Sequence, residues 1–319
     1  MHTFNMPVRR CDEIDRRLIR LLVKDVRATN RQLARETGLS EWSIANRLRR
    51  LRDDNLVAAS LVVDWRLAAY HVSAFALIRL EGAQSAAVAK VLGARSNVQS
   101  VSHTLGSVDL IAHVLGEDLP KLRAMADEIG GIAGVASVEF LPIVEYHRYV
   151  FDRTPLPQAR WSPREFAVTT IPLDELDHRL MNCLINDAHQ SNREIARQLK
   201  VSENTIRTRL RQLEDSGMVR VIAMFDPFAL GEAVISYFAL RAPGKSRRRI
   251  VEYLSSRAEI PALVTCLGHY DVVGIALCDS LGAVARFLEA LRGRQGVESL
   301  VHFPITGAPL HRFHLARLL

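Results

Sequence analysis

Hydrophobic positions recur at helical spacing through the first sixth of the chain. From Asp12 to Lys24, Ile14, Leu18, Leu21 and Leu22 fall on one face. Leu33 and Ala34 mark a second, shorter helix, and Ile44, Leu48 and Leu51 line a third at i, i+4 and i+7. Between the last two, Thr37-Gly38-Leu39-Ser40 supplies a glycine for a tight turn and a serine suited to cap the third helix. This is the pattern of a helix-turn-helix. A short strand follows over Leu56–Val63, and after Tyr70 the period changes to that of a sheet. Strands are predicted over Val72–Leu80, Val98–Thr104, Asp109–Leu115 and Val135–Ile143, with helices over Ser85–Leu92 and Leu119–Ile129. The order β-α-β-β-α-β is the ferredoxin-like, or split βαβ, motif.

The whole pattern is then written again. Shifted by 162 residues, the sequence matches itself without a gap, and 20 of the 46 positions from Asp12 to Val57 are identical. Asp12-Glu13-Ile14-Asp15 falls on Asp174-Glu175-Leu176-Asp177, and Arg47-Leu48-Arg49 on Arg209-Leu210-Arg211. Farther on, Leu105-Gly106 and Asp109 fall on Leu267-Gly268 and Asp271, and Pro142-Ile143 on Pro304-Ile305. A period this long is a domain duplication rather than a solenoid. The second sheet region is predicted as Ala233–Arg241, Arg247–Ser256, Ile260–Cys266, Tyr270–Cys278, Leu281–Gly293 and Val297–Ile305. The expected class is therefore α+β, with two tandem units, each a winged helix-turn-helix domain followed by a ferredoxin-like βαββαβ domain. The helix-turn-helix domains are expected at 8–63 and 174–226, and the βαββαβ domains at 70–150 and 232–312. The stretch 151–173, with Pro155, Pro157, Pro163 and Pro172, reads as a semi-rigid linker, and the end of the chain beyond Gly307 as a tail with a short helix.

Composition adds a charge argument. The net charge is +7 and the pI is near 9.5, which favours a polyanionic partner. The excess is local: 13 Lys/Arg against 6 Asp/Glu from Arg9 to Arg52, but 7 against 7 from Ile171 to Glu214. The second helix of a helix-turn-helix enters the major groove of double-stranded DNA. The candidate DNA-binding residues are Ser40, Trp42, Ser43, Asn46, Arg47 and Arg50 in the first unit, and Ser202, Asn204, Thr205, Thr208 and Arg209 in the second. The base-reading positions differ between the units, so an asymmetric operator is expected. Arg47, Arg49, Arg209 and Arg211 suit either phosphate contacts or salt bridges within the bundle. Cys11, Cys183, Cys266 and Cys278 show no metal-ligand or disulfide spacing. No apolar run suits a signal peptide or a membrane span, so a reduced, cytoplasmic protein without a metal or cofactor is expected.

A DExD-opened helix, a helix-turn-helix, a short strand and a βαββαβ domain with a Gly-x-x-Asp turn together resemble the Lrp/AsnC (feast/famine) family. Ser216-Gly217-Met218-Val219, Phe225-Asp226-Pro227, Ala229-Leu230-Gly231 and Leu267-Gly268-His269-Tyr270-Asp271 carry the resemblance most closely. The first unit departs from it, with Asn55 and Ala69 where Gly217 and Gly231 stand. The resemblance implies a transcription regulator responsive to a small effector such as an amino acid. It also implies pairing through the βαββαβ domains, here as an internal pseudo-dimer, with assembly into a homo-oligomer. The implied effector site lies at the Gly-x-x-Asp turn, with His103, Thr104, Gly106, Ser107 and Asp109 in one unit and Cys266, Gly268, His269 and Asp271 in the other. A glycine at positive φ and an aspartate bonded to the turn backbone account for the same residues without a ligand. The main rival is a tetrapyrrole enzyme: siroheme decarboxylases resemble this family and also come as two units. Histidines on the central strands, His103, His113, His269 and His302, are its candidates.

Overall fold

The computed structural model describes residues 11–26, 28–54, 56–63, 70–82, 84–149, 171–188, 190–225 and 234–311. The linker reading at 151–170, the hinge positions Ala69 and Asp226–Gly231, Asn55 and the tail beyond 311 lie outside them. The described residues form two bodies that interleave along the chain, one made of the helix-turn-helix segments and one of the βαββαβ segments. Each is described by itself.

The helix-turn-helix body holds α1 (Glu13–Lys24), α2 (Asn30–Thr37), α3 (Glu41–Asp53) and β1 (Val57–Val63), then α6 (Glu175–Asn186), α7 (Asn192–Leu199), α8 (Glu203–Asp215) and β6 (Val219–Phe225). Capping boxes open α1, α2, α6 and α7, with Asp12, Thr29, Asp174 and Ser191 at the N-caps. Gly38 ends α2 in the left-handed region at φ 76°, and Lys200 ends α7 there at φ 57°. The strand that follows each third helix, at the wing position, pairs with its counterpart in the other half. β1 runs antiparallel to β6 from Val57↔Phe225 to Val63↔Val219, with Ser60↔Ile222 at the centre. Because 60 and 222 differ by the repeat length of 162, a pseudo-twofold axis passes through that central pair. Leu61, fully buried, packs into the second bundle's core with Leu180, Leu184, Ile206 and Leu210. The core of the second bundle is thus completed from the first half of the chain.

The other body is a closed barrel in the order β10-β3-β4-β2-β5-β8-β9-β7. Its first half comprises β2 (Val72–Leu80), α4 (Ser85–Ala94), β3 (Val98–Thr104), β4 (Leu110–Gly116), α5 (Leu119–Gly130) and β5 (Val135–Tyr149). The second comprises β7 (Val234–Arg241), α9 (Lys245–Ser255), β8 (Ala262–Cys266), β9 (Val272–Cys278), α10 (Leu281–Arg292) and β10 (Ser299–His311). The helices of each half cover the outer face of its own strands, giving two similar outer cores. A third core, with Phe75, Leu77, Ile111, Leu141, Tyr237, Val264, Ile275 and Phe303, fills the barrel interior.

The α+β class and the two helix-turn-helix–βαββαβ halves follow the sequence reading. The last strand of each half does not end where its local pattern ends. β5 pairs with β2 up to Pro142 and then with β8 from Ile143 to Tyr149. β10 likewise pairs with β7 up to Pro304 and with β3 from Ile305 to His311. The strands expected to stop at Ile143 and Ile305 run on because the other half supplies a hydrogen-bonding edge, and part of the expected helical tail is strand. The internal pseudo-dimer is therefore built into the barrel, with no open edge.

Leu61→Ala should cost the helix-turn-helix body about 2–5 kcal/mol, the range for a fully buried leucine. Thermal unfolding followed by helical circular dichroism should show the loss.

Candidate nucleic-acid interface and effector turns

The N-termini of α1 and α6 each carry two aspartates in a reciprocal cap. Asp15 N–H donates to Asp12 Oδ1 at 2.8 Å, and Asp12 N–H to Asp15 Oδ2 at 3.1 Å. Asp15 is nearly fully buried. A buried carboxylate needs a counter-charge, and α3 supplies it: Arg47 Nη1 donates to Asp12 Oδ2 at 2.6 Å and to Asp15 Oδ1 at 2.8 Å, and Arg50 Nη2 donates to Asp15 Oδ2. In the second bundle Arg209 does the same to Asp174 at 2.7 Å and Asp177 at 3.1 Å, and Gln212 stands in place of Arg50. Burial works to raise the Asp12 carboxyl, but the bonds and charge of Arg47 and the Asp15 backbone N–H outweigh it and hold it below its ordinary range. Asp174 is held low chiefly by the Asp177 backbone N–H, with Arg209 adding to it.

These ion pairs give part of the expected contact set a role inside the bundle. Arg47, Arg50 and Arg209, taken as DNA contacts, clamp the reading helix to the first helix of its own bundle. Ser40 and Ser202 are the N-caps of α3 and α8, accepting from Ser43 N at 3.2 Å and Thr205 N at 3.0 Å. The basic and aromatic side chains exposed on α3 are Trp42, Arg49, Arg50 and Arg52, with Ser43 and Asn46 half-buried. On α8 Asn204, Arg207, Thr208 and Arg211 are exposed, with Thr205 half-buried. The sequence period alone placed both sets on the same helix faces. It did not separate paired from outward arginines, because the pairing partner lies more than thirty residues away.

The two Gly-x-x-Asp turns sit where the halves of the barrel meet. Gly106 and Gly268 adopt φ of 122° and 125°. A Cβ on Gly268 would lie 2.9 Å from Leu141 Cδ2 and force that side chain to shift, and the positive φ would strain any other residue at either turn. Leu105 N–H donates to Pro304 O at 3.0 Å, and Leu267 N–H to Pro142 O at 2.9 Å, so each turn docks on the last strand of the opposite half. The aspartates are committed locally: Asp109 Oδ2 accepts from Leu80 N at 2.8 Å and Asp271 Oδ2 from Ala242 N at 2.9 Å. Arg247 Nη1 lies 3.5 Å from Asp271 Oδ1. Thr104 Oγ1 donates to Val108 O at 2.9 Å, inside the fold. Cys266 is buried, which pushes its thiol up to about 12. Burial lowers the half-buried His103 imidazole. Of the expected effector residues, Ser107, Asp109 and His269 present exposed side chains, with His269 edge-on to Tyr270.

One cluster escaped the sequence reading. Inside the barrel, Ser73 Oγ and Tyr146 OH lie 2.8 Å apart, and Tyr146 OH is 2.9 Å from His113 Nε2. Ser100 and Ser102 bond the hydroxyl of buried Tyr237, and burial raises that hydroxyl's pKa more than these bonds lower it. Phe75 stands between the two groups, against His113 and Tyr237. A cavity of about 20 Å³ lies among them, room for one water molecule. The duplication held the signal: 162 residues after Ser73, Ser100, Ser102 and His113 stand Ile235, Ala262, Val264 and Ile275. Most of the cluster's polar side chains come from the first half, and Tyr237 stands in the second half where Phe75 stands in the first. The histidines considered for tetrapyrrole chemistry have unlike surroundings: His113 is buried, His103 is half-buried, and His269 and His302 are exposed.

Comparison with known proteins agrees with this architecture. Residues 12–52 match an AsnC-type helix-turn-helix domain, 73–148 the Lrp/AsnC ligand binding domain, and 173–220 a winged helix-turn-helix DNA-binding domain. The HTH-type transcriptional regulator FL11 of Pyrococcus abyssi is 31% identical over 147 residues, 46% of this chain and 95% of that protein. The chain belongs to the Lrp/AsnC family. It is a DNA-binding transcription regulator of that family. The Pyrococcus horikoshii FL11 protein is 28% identical over 147 residues, with 46% of this chain and 95% of that protein covered. Among solved structures, the siroheme decarboxylase NirDL aligns over 94% of this chain and 93% of its own, with a TM-score of 0.62 and 15% identity. That likeness is one of fold: two units in one architecture. No helix among the described residues is long and apolar enough to cross a membrane.

Arg47→Met should destabilise the first bundle by about 1–3 kcal/mol, because it removes one of the two arginines facing the buried Asp15. Arg49→Met on the exposed face should shift the thermal midpoint negligibly. Burial depresses the His113 imidazole to about 3 against 6.5 when exposed, so the unfolded chain binds a proton that the barrel refuses. Stability should then fall as pH drops from about 6.5 toward 3, by up to about 1.4 kcal/mol per pH unit from this group. Denaturant titrations between pH 7 and 4 should show a flatter dependence in His113→Gln.

Proposed function

We propose that one chain reads one operator whose two half-sites are inverted in orientation but unequal in sequence, and that a small-molecule effector acting on the barrel modulates the binding. The observation that carries the first part is the β1–β6 ladder, whose centre at Ser60↔Ile222 relates the two helix-turn-helix bundles by a local twofold. Two recognition helices so related meet DNA as inverted half-sites. The outward residues do not share that symmetry: Trp42, Ser43, Ala45 and Asn46 on α3 stand where Asn204, Thr205, Arg207 and Thr208 stand on α8. A palindrome would satisfy only one of the helices.

The charge is unequal as well. The first bundle's excess of basic residues makes it the stronger source of sequence-independent attraction, while the second is close to neutral. The effector part rests on the family's ligand-binding domain, matched over 73–148, and an amino acid is the effector class that the resemblance implies. Asp109 and Asp271 hold the turns in shape through the backbone. A ligand there would meet exposed Ser107 in one half and His269 in the other, so the two turns would not take the same molecule equally well.

Fluorescence anisotropy with the duplex upstream of the chain's own gene, at several salt concentrations, tests the DNA part. Binding should weaken steeply with salt, and Arg49→Ala should reduce the salt slope by about 1. Footprinting should show two protected segments about one helical turn apart with different sequences. Two identical inverted half-sites under one chain would refute the asymmetric operator.

A further inference from the structure

Trp42 is the most exposed large hydrophobic side chain among the described residues, at 77%. It stands at the second position of α3, just after the Ser40 cap, and the N-terminal turn of a recognition helix is the part that reaches base edges. An indole there has no hydrogen-bonding fork to offer a purine. It offers apolar area, which in the major groove matches the C5-methyl of thymine. The equivalent position on α8 is Asn204, and its side chain is engaged: Arg207 Nη2 donates to Asn204 Oδ1 at 2.7 Å. That bond holds an exposed guanidinium on the outward face of α8 and leaves its remaining N–H groups to donate. Arginine's planar fork matches the O6 and N7 acceptors of guanine. On α3 the position of Arg207 is Ala45, half-buried and too short to reach a base.

We propose that the two half-sites are read by different chemistry: Trp42 packs on a thymine methyl in the half-site under α3, and Arg207, positioned by Asn204, reads the O6/N7 edge of a guanine in the half-site under α8. This rests on the DNA-binding reading and deepens it. Asn204 is a positioning residue, and Arg207 is the contact. Neither helix carries the other's group, so neither reads the other's half-site well.

The test begins with selection of duplexes from a random pool by the full chain. Each thymine of the selected site is then replaced singly by deoxyuridine, which removes only the methyl, and each guanine by 7-deazaguanine, which removes only the N7 acceptor. One thymine replacement should weaken binding about 4-fold, the worth of one buried methyl. That penalty should vanish in Trp42→Ala, persist in Trp42→Phe and be unchanged in Arg207→Ala. One guanine replacement in the other half-site should weaken binding about 5- to 100-fold. That penalty should vanish in Arg207→Ala and shrink in Asn204→Ala. Tight binding with no thymine or guanine sensitivity, or sensitivity unaltered in the variants, would overturn this assignment and leave the regulator intact. Failure to bind any duplex at low salt would overturn the DNA-binding reading and this inference with it.

Discussion

The structure depends on an exchange of strands. Each half of the barrel contributes a last strand that begins in its own sheet and finishes in the other, β5 onto β8 and β10 onto β3. The crossover falls at Pro142 and Pro304, whose carbonyls accept from Leu267 and Leu105 in the glycine turns of the opposite half. Neither sheet can be completed alone, since separating them would expose a row of unpaired backbone groups and the apolar interior between them. The β1–β6 ladder repeats the arrangement in the helix-turn-helix body. The molecule is thus a dimer in its physics and a monomer in its covalent structure.

Much of this was legible in the chain. The helical faces of α1 and α3 follow from residues such as Leu18, Leu22, Ile44, Leu48 and Leu51, all buried as expected, and the repeat carries them to Leu180, Leu184, Ile206, Leu210 and Leu213 on α6 and α8, buried as well. The βαββαβ order followed from strand-like periods between glycine turns. What local pattern does not encode is the partner. Residues 144–149 and 306–311 alternate too weakly to announce a strand, and they become one because an edge from the other half is present. The same limit applies to Arg47 and Arg209. Their place on the reading helix suggests DNA, but the buried aspartates that claim them lie on another helix, and only the fold brings the two together.

Duplication also shows where the halves have been free to differ. The frame is shared: the capping aspartates, the clamping Arg47 and Arg209 and the glycine turns occur in both halves with matching geometry. The differences collect in two places, the outward faces of the reading helices and the barrel interior. In the interior, Ser73, Ser100, Ser102, His113 and Tyr146 satisfy one another or Tyr237, while the pseudo-equivalent positions of the first four are aliphatic. A buried polar network is tolerated when its members are paired, and it then favours one packing over its mirror alternative. Here it distinguishes the two ends of an otherwise two-fold interior.

Joining the halves through one backbone removes a concentration from the problem. Two separate subunits sharing this architecture would dissociate on dilution, and two diverged kinds of subunit would also sort into like pairs and mixed ones. In this chain the mixed pair is the only one formed within a molecule, and its pairing is intramolecular at any copy number. Occupancy of a target by a single molecule then rises with the first power of protein concentration rather than the second. A cell holding few copies would keep every one of them fully paired.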